Sequence, residues 1–416
     1  MIRRFRAPDG APNPLLFWTL TIAVSVALRL WSLDLLNGRA PDGDTPNYLA
    51  IADNILSGRG LLLVDSNNLH MRATYPPFYP MLLAGVGLVL PLTFAVIAAM
   101  NTVIELICAW LMTRLGKDLG AVQAGTLAAA LYLVWPVNVG MAPLARKEPL
   151  IALLVVALLV VLVRAIGRGS WRSGIAFGVL TGLLALTQPG LLFLPALFAL
   201  VALPRFHDRR RWLTMMSIAA GCAVLTLLPW WIRNWLLFHR FVPLTAVSGY
   251  SLWIGSTQAG DGTYLQAPPG FWLDDEFQMS AALGAEAKRI IASDPLNYFV
   301  HCVGKFFRAM FTEDRGVSQI YWAVPRGHAR IAGIWVGTAT LLNGLAVCIA
   351  VAAAWIRRRQ LLSQLLLAAI ANILLFGIWF EFDQRHRYFL TPLLLLAAVN
   401  GLLIYRRARQ SLAIRG

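Results

Sequence analysis

The chain has 416 residues, 58% hydrophobic and 13% charged, with a mean hydropathy of +0.64. Such a composition excludes a soluble protein and implies a polytopic all-α membrane protein. The net charge of +16 sits in short arginine-rich loops between apolar runs, without a basic–aromatic signature, so it speaks against nucleic acid as a partner.

The first span is expected from Leu15 to Leu33, with Arg3, Arg4 and Arg6 holding its start inside. The run is too long for a signal peptide and lacks a small-residue cleavage site, so it reads as a start-anchor helix. An external loop follows, and residues 34–93 form one region with a short apolar piece at its end. Within it, Asp42 and Asp44 flank a Gly43 turn, Pro46 can occupy a first helical turn, and Leu49, Ala52, Ile55 and Leu56 repeat at helical spacing before Gly58 and Gly60. This reads as a carboxylate-bearing turn and an amphipathic helix on the membrane surface. Residues 78–91, rich in proline, read as a re-entrant or surface-lying segment. A full crossing there would put Arg114, Lys117, Arg164, Arg168 and Arg172 outside.

Further spans are expected at 94–112, 121–140, 149–163, 174–187, 190–203, 213–231, 331–356, 361–380 and 388–405. That makes about ten crossings, a single membrane domain over 1–416 in the plasma (inner) membrane, and both termini cytoplasmic. The long stretch 232–330 reads as an external lid on the outer leaflet. Trp230, Trp231, Trp235, Trp253 and Trp272 serve there as interface residues, and the helical run Pro295 to Phe311 is apolar on one side. Cys108, Cys222, Cys302 and Cys348 lie in or beside apolar runs without metal-type spacing and read as small core residues.

The run Leu228-Pro-Trp-Trp-Ile-Arg-Asn-Trp through Tyr250-Ser-Leu-Trp-Ile-Gly255 resembles bacterial members of glycosyltransferase family 39. That family includes the protein O-mannosyltransferases, and the lipid A aminoarabinose transferases are close relatives. Further landmarks fall in the family's order along nearly the whole chain: Asp44-Thr-Pro-Asn-Tyr48, Arg72-Ala-Thr-Tyr-Pro-Pro-Phe-Tyr-Pro80, Lys147-Glu-Pro-Leu150, Leu186-Thr-Gln-Pro189, Asp294-Pro295 with Lys305, and Arg385-His-Arg387 with Pro392. Thr45 stands where a second acid is frequent, Gln188 where arginine is common, and His386 where tyrosine is frequent.

The resemblance implies a GT-C-like fold and an inverting transfer of a sugar from a polyprenyl-phosphate donor to an acceptor hydroxyl outside the membrane. On that reading Asp44 is the general base, with Asp42 or Glu148 as a second acid. Arg387, Arg72, Arg233 and Lys147 are candidates for the donor phosphate. Tyr48, Tyr75, Trp253, Gln188 and His386 are candidates for contacts with substrate. No cofactor is implied beyond the lipid-linked donor, while one or two loop carboxylates suit a base as well as a divalent-metal ligand. Partners are membrane lipid, the donor and an acceptor that is protein, lipid or glycan. Two other readings stand beside this one: a transporter or flippase of lipid-linked sugar, and a surface-polysaccharide ligase or polymerase.

Overall fold

The computed structural model describes residues 13–36, 43–64, 69–257, 262–271, 275–313 and 329–413. Asp42, Trp272 and the arginines before residue 13 lie outside these, so nothing follows about them. The chain is helical almost throughout, with a single two-stranded antiparallel pair, β1 (Leu63–Val64) and β2 (His70–Met71), among the described residues.

Among the described residues six helices are long and apolar enough to cross a membrane. These are α1 (Pro14–Leu36), α4 (Phe94–Asp118), α7 (Glu148–Arg168), α10 (Arg209–Phe238), α14 (Ala329–Ile356) and α16 (Thr391–Ala413), the last entered through a 3-10 turn at Gln384–Leu390. Shorter apolar helices lie among them: α3 (Phe78–Gly87), α5 (Val122–Leu133), α8 (Trp171–Ala185), α9 (Leu194–Ala202) and α15 (Leu361–Asn372). Each falls where a span or half-span is expected, and α3 is the short piece read as re-entrant or surface-lying.

Three features depart from the expected spans. The 121–140 run breaks at Val134 and Trp135, because Pro136 has no N–H to continue the ladder and instead starts α6 (Pro136–Met141). The 361–380 run ends as an α-helix at Asn372 and goes on through a π-helical turn, Ile373–Gly377. The expected span 213–231 continues unbroken to Phe238, so Trp230, Trp231, Arg233 and Trp235 belong to the end of α10 and the lid starts after it.

Helices α8 and α10 pack along a stripe of small residues, Gly174, Gly178 and Gly182. A β-carbon on Gly178 would stand 2.3 Å from the Ala219 carbonyl oxygen, so the two backbones meet with no side chain between them. Deep in the bundle, Arg29 of α1 pairs with Glu105 of α4, and the Arg29 guanidinium also donates to the Leu133 carbonyl. The pairing accounts for two ionisable groups inside spanning segments.

After the Gly43 turn comes the helix α2 (Asp44–Leu56), which is followed by the β1–β2 pair and packs on α3. Tyr48 of α2 meets Tyr75 and Tyr79 edge-on, with ring centroids 5.3 and 4.9 Å apart. The stretch read as a lid contains, among the described residues, α11 (Ser248–Ser256), α12 (Glu276–Ser293) and α13 (Pro295–Phe311). Glu276 ties it to the first loop by accepting from the backbone N–H groups of Arg72 and Ala73 and the Thr74 hydroxyl. Helix α13 exposes Leu296, Phe299, Val300 and Phe307 on one side and buries Cys302, Lys305 and Met310 on the other. The Lys305 ammonium, 1% exposed, donates to the carbonyls of Gly255 (2.7 Å) and Phe380 (3.0 Å).

Candidate active site

A cavity of about 1540 Å³ opens between the spans and the lid. Spanning segments line it with apolar groups such as Leu191, Phe193, Val336, Ile373 and Phe376, and the Phe193 and Phe376 rings lie 4.7 Å apart. Loops and helix ends supply the polar wall: Asp44, Tyr48, Tyr75, Lys147, Glu148, Gln188, Glu381, Asp383, Arg385 and His386.

Asp44 begins α2, but its carboxylate makes no cap; the N-cap position is Gly43 and has no side chain to offer. Asp44 Oδ2 instead accepts from Arg385 Nη1 at 2.6 Å and Arg146 Nη1 at 2.9 Å. Burial would raise its pKa, yet Arg385, Arg146 and Lys147 together outweigh that and hold it down to about 2. Arg385 also donates from Nε to Asp383 Oδ2 at 3.0 Å and from Nη2 to Glu381 Oε1 at 3.3 Å. A planar guanidinium offers donors in several fixed directions, which suits it to hold three carboxylates at once. His386 Nδ1 lies 2.9 Å from Asp383 Oδ1. Burial would raise the Asp383 pKa as well, but Arg385 and His386 hold it far below the usual range.

Lys147, just ahead of α7, lines the same cavity, and its ammonium makes no hydrogen bond to a described residue. Burial lowers its pKa despite the neighbouring Glu148 and Asp44. Glu148 opens α7 and is 4% exposed, with its Oε2 enclosed and unpaired among the described residues.

Not every expected residue is here. Arg387, expected to face the lipid entrance, is fully buried, bonded to the Ala309 carbonyl and paired with Glu313, and is not on the cavity wall. The 3-10 turn places Arg385 inward and Arg387 into the protein. Arg233 spends its guanidinium on the carbonyls of Arg72 (2.9 Å) and Leu61 (3.2 Å) and lies over the Trp230 and Phe238 rings. It braces the first loop. The Arg72 side chain is exposed, and the cavity wall does not include it. Trp253 is buried in the lid's own core with Tyr250, Met279 and Leu283 instead of facing the cavity. Arg146, Glu381, Asp383 and Arg385 are the site residues that sequence reasoning left unassigned. For Glu381, Asp383 and Arg385 the one signal is the mixed-charge cluster Glu381 to Arg387 between two apolar runs, and for Arg146 it is the charged Arg146-Lys147-Glu148 run between two others.

Among the described residues no group of three or more His, Cys, Asp or Glu side chains can hold a metal ion. Asp44 and Asp383, the carboxylates best placed for one, are already bound by guanidinium groups. The donor set among the described residues does not fit a divalent cation.

The fold is of the GT-C type, the helical architecture of membrane glycosyltransferases. Two crystal structures of the Archaeoglobus fulgidus oligosaccharyltransferase are similar to it, each with a TM-score of 0.52 at 15% and 18% identity. One is tethered to an acceptor peptide containing the NVT sequon, and the other is a complex with Zn and sulfate. The match covers 92% of this chain but 49% of that one, so the chain spans about half the length of the archaeal enzyme. ArnT from Cupriavidus metallidurans, apo or bound to undecaprenyl phosphate, overlaps more loosely, with TM-scores of 0.41 and 0.40 at 14% identity over 94% of this chain and 78% of that one. No protein-family profile and no curated protein matches the sequence.

Proposed function

We propose that the cavity takes a polyprenyl-phosphate-linked sugar and transfers the sugar, with inversion, to an acceptor hydroxyl on the external face of the plasma membrane. The observation that carries this reading is Lys147, an ammonium ion without a hydrogen-bond partner among the described residues, set in a cavity whose other walls are apolar span residues. A phosphate on a long isoprenoid fits both demands: its charge meets Lys147 and Arg385, and its tail meets the surfaces contributed by the spans. The GT-C fold is in keeping with this. So is the chain of family 39 landmarks, of which Asp44, Tyr48, Tyr75, Lys147, Glu148, Gln188, Arg385 and His386 all come to one cavity.

The general-base role expected of Asp44 sits poorly with a carboxylate held near 2 by two arginines, since so weak a base takes up a proton reluctantly. Asp44 remains ionised at any physiological pH. It holds Arg385 and Arg146 at the cavity and places a fixed negative charge where the sugar becomes oxocarbenium-like as the phosphate leaves.

The test is purified protein in lipid vesicles with radiolabelled undecaprenyl-phosphate hexoses and pentoses. Release or transfer of the sugar, lost in Asp44→Asn, is the expected result. Movement of lipid across the bilayer without cleavage of the sugar–phosphate bond would make the protein a transporter.

A further inference from the structure

We infer that Glu381 is the residue that accepts the proton from the attacking hydroxyl, an assignment that rests on the transfer reaction proposed above.

Four carboxylates line the cavity, and their surroundings separate them. Asp44 and Asp383 are engaged by guanidinium groups at 3.0 Å or less. Glu148 has its Oε2 enclosed. Glu381 alone combines an open side chain, 18% exposed, with one long contact, 3.3 Å from Arg385 Nη2 to Oε1; among the described residues its Oε2 accepts nothing.

Its backbone is fixed. The Glu381 N–H donates to the Ser251 carbonyl at 2.8 Å, Phe382 N–H to Gly262 at 2.9 Å, and Lys305 holds the preceding carbonyl. Gly255 makes the approach of α11 feasible, since a β-carbon there would lie 2.4 Å from the Phe380 carbonyl carbon. A general base must be aimed as well as basic, and these contacts aim it.

The charged and titratable groups around Glu381 come from every neighbouring element. On its own segment they are Arg385, His386 and Asp383. Across the cavity they are Asp44 and Lys147, from α13 Lys305, and from the walls the phenols of Tyr75 and Tyr250. Burial raises the Glu381 pKa above the ordinary glutamate value in spite of His386 and Arg385. The contrast with Asp44 gives two carboxylates two roles, set by environment.

The step balances as a displacement. The acceptor O–H gives its proton to Glu381 Oε2, and its oxygen bonds to the anomeric carbon. The bond from that carbon to the phosphate oxygen breaks, and its electron pair leaves with the polyprenyl phosphate, received by Lys147 and Arg385. Glu381 then returns the proton to solvent.

The experiment uses membranes from source cells lacking the native gene, which contain both natural donor and natural acceptor, supplied with the full-length protein. Sugar-bearing product is followed by mass spectrometry across pH, and undecaprenyl phosphate binding is measured on the same variants. Glu381→Gln should bind undecaprenyl phosphate as wild type does, lose roughly 10²–10⁴-fold in transfer rate, and lack the acid limb on which wild-type activity falls as Glu381 protonates. Transfer within a few-fold of wild type, or an acid limb persisting in the Gln variant, overturns the assignment. If the Gln variant fails to bind and so to fold, Glu381→Asp decides. A shifted acid limb supports the role, and an unmoved one refutes it. Wild-type protein that yields no sugar-bearing product removes the transfer reading itself, which is a different failure.

Discussion

Arg385 and Arg387 stand two positions apart and do opposite things. Arg385 reaches the cavity and gathers Asp44, Glu381 and Asp383, whereas Arg387 is sealed behind it against Glu313. Breaking a buried pair leaves a charge without compensation, so Arg387→Ala should cost roughly 3–5 kcal/mol in stability, read as a loss of melting temperature in detergent. Normal folding with weakened donor binding in that variant would return Arg387 to the phosphate. Lys147→Ala should do the reverse, leaving stability nearly intact and weakening undecaprenyl phosphate binding by about 10- to 100-fold, the worth of a charged hydrogen bond. Because burial lowers the Lys147 pKa, its charge is lost at a lower pH than an ordinary lysine's. Binding should therefore weaken as pH rises into the alkaline range, and Lys147→Arg should flatten that fall. Asp44→Asn should cost roughly 10²–10³-fold in turnover, the range for one removed electrostatic partner; a harmless Asn would reduce Asp44 to a helix-start residue.

Among the elements, α8 and α10 depend most on what is absent from them. Gly178→Leu forces side-chain atoms into the 2.3 Å gap at Ala219 and should lower the melting temperature through overpacking of at least 1–3 kcal/mol, the usual range. An unchanged melting curve would mean that the two helices separate freely. In the lid, the staple is Lys305. Burial holds its pKa down from 10.5 to about 8. Between those values the folded protein binds fewer protons than the unfolded chain, so this group's contribution to stability rises as pH increases from about 8 to 10.5. The melting temperature of wild type relative to Lys305→Met should climb over that window, and a flat difference would show that the ammonium is not desolvated as described.

For the whole molecule, orientation rests on the arginines. With the basic turns inside, Lys288→Cys on the exposed face of α12 should react with a membrane-impermeant thiol reagent in intact cells and Arg358→Cys should not. The opposite pattern would invert the topology and put the cavity in the cytoplasm. Spans were legible in the sequence because apolar length is a local property, and the family landmarks named Asp44, Tyr75, Lys147 and Gln188, all four of which line the cavity. Direction was not legible. Nothing local tells Arg385 from Arg387 on a tight 3-10 turn, or reveals that Arg233 faces the carbonyls of Leu61 and Arg72, because those partners are far away in sequence. The breaks at Pro136 and at Ile373–Gly377 were missed for a related reason: hydropathy runs straight through both.

The grip of Lys305 on the Gly255 and Phe380 carbonyls has one more implication. Phe380 is the residue before Glu381, so α13 and Glu381 hang from the same peptide. Lifting α13 would drag that peptide with it, so a bulky guest could not enter beneath α13 while the Glu381 backbone kept its place. A compound wedged beneath the exposed Leu296 and Phe299 would then pull Glu381 out of its place on the cavity wall.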